Sequence, residues 1–146
     1  MAGVSRSTLL SMLGSDFYSV ELPSVGASGG VLIAWRHYLG AAVETHVDNF
    51  CVSIKLSPTS GSEWWLTCVY GPQGDDNKLL FLQELRDVRD RCQGPWLVLG
   101  DYNLIVSAED KNNGNLNRAM MGRFRRLIND LGIAGCVTPW QKIYMV

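Results

Sequence analysis

Three polar side chains stand where apolar runs end, and their types could do chemistry: Asp101, Asn103 and Tyr70. The run Trp96-Leu97-Val98-Leu99 reads as a strand buried on both faces. It stops at Gly100 and then presents Asp101 and Asn103. In an extended exit, residues two apart leave on the same side. A carboxylate beside a neutral amide suits a phosphate: the carboxylate orients or deprotonates a water or holds a metal, and the amide donates to a non-bridging oxygen. The same pair suits a turn, with Asp101 capping it and Asn103 accepting an unusual backbone angle. D-x-N spacing leaves both readings open. Tyr70 closes the stretch "CVYGPQ" (68–73), where a phenol could bond a phosphate or serve as an amphipathic plug at a sheet edge. A covalent-nucleophile role for Asp101 is disfavoured, because Asp101-Tyr102-Asn103-Leu104-Ile105 lacks the second aspartate and the small hydroxyl residue that such chemistry wants.

The elements that must position these groups follow from periodicity. "SRSTLLSMLG" carries cap candidates, a short apolar set and a closing Gly14, which predicts a short helix. "DFYSVEL", "GVLIAW" (30–35) and "AAVETHV" predict strands. "FCVSIKL" alternates Phe50, Val52, Ile54 and Leu56 against Cys51, Ser53 and Lys55, and the turn "SPTSGSE" joins it to "WWLTCVY" as a hairpin. The period then changes. Phe81, Leu85, Val88 and Cys92 recur at helical spacing up to Gly94-Pro95. After "WLVLG" and a polar loop "AEDKNNGNLN" (108–117), a second helix places Met120, Phe124, Leu127, Ile128 and Leu131 on one face, ending at Gly132. The tail "IAGCVTPWQKIYMV" has no clear period. Strands joined by hairpins, then helix, strand and helix, predict an α/β layered fold.

Composition sets the bounds. The chain has 146 residues, 47% hydrophobic and 18% charged, with a formal net charge of −1. That length fits one domain with a real core, and that charge gives no global pull towards nucleic acid or membrane. Any such contact needs a local patch, for which "NRAMMGRFRR" offers Arg118, Arg123, Arg125 and Arg126. A solvated helix face is the plainer account of the same arginines. Cys51, Cys68, Cys92 and Cys136 are far apart without a C-x-x-C pair, which argues against zinc and against a disulfide framework. No apolar run is long enough for a signal peptide or membrane span, so a soluble intracellular protein is expected.

With their spacing, "SGGVLIAW", "CVYGPQ" and "GPWLVLGDYNLIVSAEDKNNGNLNRAMMGRFRRLINDLG" resemble the endonuclease/exonuclease/phosphatase superfamily. The resemblance is strongest to the endonuclease-like region of plant non-LTR (LINE-type) retrotransposon proteins. It covers 28–132 within a single domain, 1–146, and leaves 133–146 as a divergent tail. It implies a four-layer α/β sandwich of two mainly antiparallel sheets flanked by helices, present here in part. It also implies hydrolysis of phosphodiester or phosphomonoester bonds with Mg²⁺ or Mn²⁺, and nucleic acid as partner. By resemblance, Asp101 orients and deprotonates the attacking water, Asn103 steadies the phosphate, and Tyr70 bonds at the same site.

Two parts of that pattern have no counterpart. The family's metal-binding glutamate lies on a strand upstream of the "SGG" stretch, where Glu21 has the wrong context. The closing S-D-H is absent, and His37 and His46 read as surface or strand histidines without a partner at useful spacing. No metal ligand is therefore assigned, and phosphodiester hydrolysis, the ancestral activity, is expected to be impaired or lost. The alternative is a non-catalytic retrotransposon remnant or interaction module. A sandwich lacking outer strands leaves open edges. Exposure of Trp64, Trp65 and Trp96 and self-association through those edges are the corresponding expectations.

Overall fold

The computed structural model describes residues 5–24, 30–104, 117–137 and 142–145. Helix α1 (Arg6–Leu13) opens the chain, with the Ser5 hydroxyl accepting from the Thr8 N–H at 3.2 Å and Gly14 following its last residue. Strands β1 (Phe17–Leu22) and β2 (Val31–Arg36) form a two-stranded antiparallel sheet. Next come β3 (Ala41–Val47), β4 (Cys51–Ser57), β5 (Trp64–Tyr70), helix α2 (Asp75–Arg91), β6 (Trp96–Asp101), helix α3 (Arg118–Asp130), β7 (Ala134–Val137) and β8 (Lys142–Met145). The larger sheet runs β3-β4-β5-β6-β8-β7, and only β5 and β6 pair in parallel. That one parallel pair requires a crossover, which α2 supplies.

Two cores lie on opposite faces of the large sheet. On one face Trp65, Val69, Trp96 and Val98 pack with Phe81, Leu85, Val88, Phe124 and Leu127 of the two helices. On the other, Val52, Ile54, Leu56 and Leu66 meet Ile33 and Trp35 of the small sheet. Helices, large sheet and small sheet thus form the expected partial α/β sandwich. α1 contributes no buried residue.

Both faces of β4 are buried, one under the helices and one under the small sheet: Cys51 and Ser53 are fully buried, as are Val52 and Ile54. Ser53 tolerates this because its hydroxyl bonds Thr67 Oγ1 at 2.8 Å, and Thr67 accepts from Trp96 Nε1 at 2.8 Å. The aperiodic tail holds two strands; β8 pairs antiparallel with β6 through Leu97↔Met145 and Val98↔Tyr144. Short strands of four residues carry too little period to read. Finally, Trp65 and Trp96 are 3% and 2% exposed, not stranded on an open face, since α2 and α3 roof them. Trp64 is half-buried. The polar loop 105–116 and residues 138–141 lie outside the described residues.

Candidate active site

β5 and β6 end side by side, with Tyr70 directly opposite Asp101 in the parallel register. Alternation puts both side chains on the face shared with Leu66, Cys68, Leu97 and Leu99, the side of the small sheet. Tyr70 is half-buried and Asp101 exposed. The Tyr70 N–H donates to Phe50 O at 2.9 Å, which fixes the strand end.

Past Asp101 the chain does not stay extended; of the two arrangements that D-x-N spacing leaves open, the turn is the one formed. Asn103 has φ 47, and its N–H donates to Asp101 Oδ1 at 2.9 Å, closing a turn around the carboxylate. The Asn103 side chain turns the other way and donates from Nδ2 to Gly71 O at 2.6 Å. Gly71 N–H in turn donates to Asp101 O at 2.7 Å. Between the two polar residues, Tyr102 is 5% exposed and packs its ring against Phe81 and Phe124, at centroid separations of 6.1 and 5.3 Å. Tyr102 anchors the loop in the helix-side core. Its place between two polar residues gave no periodic signal from which to foresee this.

Asp101 and Asn103 line a cleft of about 310 Å³ with Lys78, Leu104, Asn117, Met120 and Met121. Tyr70 is the strand neighbour of Asp101 but is not part of that lining. The first turns of α2 and α3 meet at the cleft. Asp75 accepts from Lys78 Nζ at 3.1 Å and from Asn117 Nδ2 at 3.0 Å, while Asn117 Oδ1 accepts from the Met120 N–H at 3.0 Å. Lys78 and Asn117 were not foreseen. Lys78 sits four residues into a helix whose apolar face alone was legible, and Asn117 was read only as loop.

Divalent metal demands oxygen donors, of which a protein usually supplies one or two carboxylates together with substrate phosphate and water. Among the described residues Asp101 is the only carboxylate lining this cleft, and one of its oxygens is engaged by Asn103. Among the described residues no three of His, Cys, Asp and Glu group together. The donor set thus does not amount to an Mg²⁺ or Mn²⁺ site. The histidines lie elsewhere: His37 packs on Tyr18 at 4.1 Å, and His46 Nε2 lies 2.6 Å from Glu44 Oε1, a partner two residues away that the reading of His46 as partnerless overlooked.

The four arginines are all exposed on α3, outside the cleft lining. Arg118 and Arg125, seven apart, lie along one side, and Arg123 and Arg126 along another. The second pair lines a groove of about 330 Å³ between α2 and α3 together with Arg86, whose Nη2 bonds Asp130 at 3.1 Å. Among the described residues no helix is long and apolar enough to cross a membrane.

No family model matches the chain, and no curated protein does. Among solved structures, it is similar to the human Nocturnin catalytic domain with bound sulfate anion, at a TM-score of 0.58 and 15% identity. The similarity covers 97% of this chain and 64% of that one, so the chain spans less than two thirds of its structural neighbour. What the two share is the fold.

Proposed function

We propose that this chain is a nuclease-like domain of retrotransposon type that contacts the phosphodiester backbone of nucleic acid and has little hydrolytic capacity of its own. The observation that carries the reading is the placement of Asp101 beside Tyr70, on one face, at the carboxyl ends of the parallel pair β5 and β6. In α/β sheets, ligands bind outside the carboxyl ends of parallel strands. The nuclease-like fold supports it, as does the sulfate bound by its neighbour, an anion with phosphate-like charge and shape.

In this reading Asp101 orients and deprotonates a water through the oxygen that Asn103 leaves free. Asn103 offers the phosphate its second amide hydrogen, the first being held by Gly71 O. Tyr70 donates its phenolic hydrogen from the neighbouring strand. With Asp101 as the only carboxylate in the cleft among the described residues, no step is assigned to Mg²⁺ or Mn²⁺. Among the described residues the cleft sets Lys78 against Asp75 and Asp101, which gives it no positive pull on a phosphate. Affinity for the backbone must then come mainly from Arg118, Arg123, Arg125 and Arg126 on α3.

Fluorescence anisotropy with a DNA duplex across a salt series tests the binding. Each phosphate contact adds about 0.9 to the log–log salt slope, so the double variant Arg123→Ala/Arg126→Ala is expected to flatten it by roughly 2. A flat response in the unaltered chain would refute contact. Nicking of supercoiled plasmid with Mg²⁺ or Mn²⁺ tests the chemistry. The expected result is no cleavage that depends on Asp101; robust nicking abolished by Asp101→Asn would overturn the low hydrolytic capacity.

A further inference from the structure

α2 and α3 run side by side in the same direction, tied at two levels. At their first turns Asp75 accepts from Asn117 Nδ2 at 3.0 Å, and further along Arg86 Nη2 donates to Asp130 at 3.1 Å. From the helical rise per residue, the ties lie about 16 Å apart along α2 and about 20 Å apart along α3. Residues lining the groove between the helices adjoin those lining the cleft: Lys78 and Met121 belong to the cleft, Leu79 and Arg123 to the groove. The groove therefore leads away from the candidate active site along the helix pair.

Its charge is one-sided. Among the described residues Arg86, Arg123 and Arg126 line it against the one carboxylate of Asp130. Arg123 and Arg126 are exposed and make no hydrogen bond or ion pair with any described residue, so their guanidinium donors are open to a ligand. Arg86 gives one nitrogen to Asp130 and keeps the rest of its donors. The other flank of α2 has the opposite sign: Asp48, Glu84 and Asp87 line a second groove with Arg91 as its cation. A polyanion approaching α2 is thus drawn to the α3 side and repelled from the other. Guanidinium forks match phosphate oxygens in pairs. Among the described residues no aromatic side chain lines the basic groove, so nothing there stacks on a base.

We propose that the phosphodiester backbone of nucleic acid seats in this groove and is held from both helices. Arg123 and Arg126 of α3 grip it on one side and Arg86 of α2 on the other, while Asp130 competes with phosphate for Arg86. The inference rests on the nuclease-like reading above. It adds a contact residue outside α3, a path that ends at the cleft, and recognition of the backbone without the bases. An acidic peptide offers carboxylates to the same forks. Continuity of the groove with the cleft favours the polynucleotide, because a strand laid along the helix pair reaches Asp101.

Fluorescence anisotropy of the full chain with a labelled DNA duplex across a salt series tests the site. Arg86→Gln is expected to flatten the log–log salt slope by about 0.9, one phosphate contact, and Arg86→Lys to keep it. Asp130→Asn is expected to tighten binding about twofold to fivefold, the scale of one exposed ion pair, and to lose that effect in the Arg86→Gln background. Asp87→Asn changes the net charge equally from the other flank of α2 and is expected to leave affinity unchanged. Two duplexes of unrelated sequence are expected to bind alike. The comparison of Asp130→Asn with Asp87→Asn stands even where Arg86→Gln weakens the fold. A flat salt response in the unaltered chain removes the nuclease-like binding itself and this site with it. A steep slope that Arg86→Gln leaves intact, or equal tightening by Asp130→Asn and Asp87→Asn, puts the backbone elsewhere and overturns this inference alone. So does a strong preference between the two duplexes, or polyglutamate binding as tightly as DNA, which would identify an acidic peptide.

Discussion

Asn103 can be separated into its backbone and side-chain contributions by two substitutions. At φ 47 the residue is left-handed, a conformation that costs an alanine roughly 1 kcal/mol and a glycine almost nothing. Its Nδ2 supplies the side-chain donor to Gly71 O, at 2.6 Å, and Gly71 is buried. Leaving a buried carbonyl without a donor costs about 1–3 kcal/mol. Asn103→Ala incurs both penalties, about 2–4 kcal/mol in all, and Asn103→Gly only the second. The difference between the two variants, about 1 kcal/mol, isolates the backbone term. Urea unfolding followed by tryptophan fluorescence measures both, with C_m falling and m unchanged. For a chain of this size the alanine variant should melt on the order of 10 °C lower. If the alanine variant keeps the parent's stability, or is no less stable than the glycine variant, the turn around Asp101 is not held as described and the geometry of the candidate site falls with it.

Thr67→Val leaves Trp96 Nε1 and the Ser53 hydroxyl without their shared partner in a fully buried position, and is expected to cost about 2–4 kcal/mol in urea unfolding despite its near-identical shape. Glu84 accepts from the N–H of Phe50 at 2.8 Å and from the N–H and side chain of Asn49 at 3.2 Å, tying α2 to the turn between β3 and β4. Glu84→Ala should lose about 1–3 kcal/mol and speed amide exchange at Asn49 and Phe50. Burial pushes the Cys68 thiol from its usual 9.0 up to about 11, and raises Cys51 and Cys92 in the same direction. Because the folded form holds its proton longer than the unfolded one, this contribution is complete below pH 9 and is lost as pH climbs towards 11. On the order of 2 kcal/mol should vanish from Cys68 alone, and Cys68→Ala should reduce that alkaline slope; an unchanged slope would remove the assignment.

Most of the architecture was legible because its signals are local and repeated. Phe81, Leu85 and Val88, or Phe124 and Leu127, mark helix faces at a period that holds over three or more turns, and each of those side chains is buried. The alternation in β4 was visible too, but its consequence was not. Whether Cys51 and Ser53 face water depends on helices that arrive much later in the chain. The strands β7 and β8 were missed for a different reason: four residues each offer no period, and β8 takes its place through pairing with β6. At the candidate site, Asp101, Asn103 and Tyr70 are legible in the sequence, but D-x-N spacing does not decide between an extended exit and a turn. The left-handed backbone at Asn103 replaces the extended exit that D-x-N spacing allowed. Lys78 and Asn117 join the cleft only because the first turns of α2 and α3 converge there, and neither residue type announces that from its own neighbourhood.

The turn also explains why the stretches "VYGP" and "GDYN" belong together irrespective of chemistry. A methyl group on Gly100 would fall on the carbonyl oxygen of Val69, its neighbour across the parallel pair, and one on Gly71 would fall on the carbonyl of Tyr102. Gly71 then exchanges two hydrogen bonds with the other loop, giving its N–H to Asp101 O and its carbonyl to Asn103. The two stretches are each other's mould. Structural need thus accounts for the glycines, for the Asp101 oxygen that accepts from Asn103, for one amide hydrogen of Asn103 and for the buried Tyr102 ring. It leaves over the second carboxylate oxygen of Asp101 and the second amide hydrogen of Asn103. A turn alone asks only for an acceptor at 101, which asparagine or serine supplies without a charge. The carboxylate at 101, set beside Tyr70 at the carboxyl ends of a parallel pair, is therefore the residue type that architecture does not demand, and the proposed phosphate chemistry turns on it.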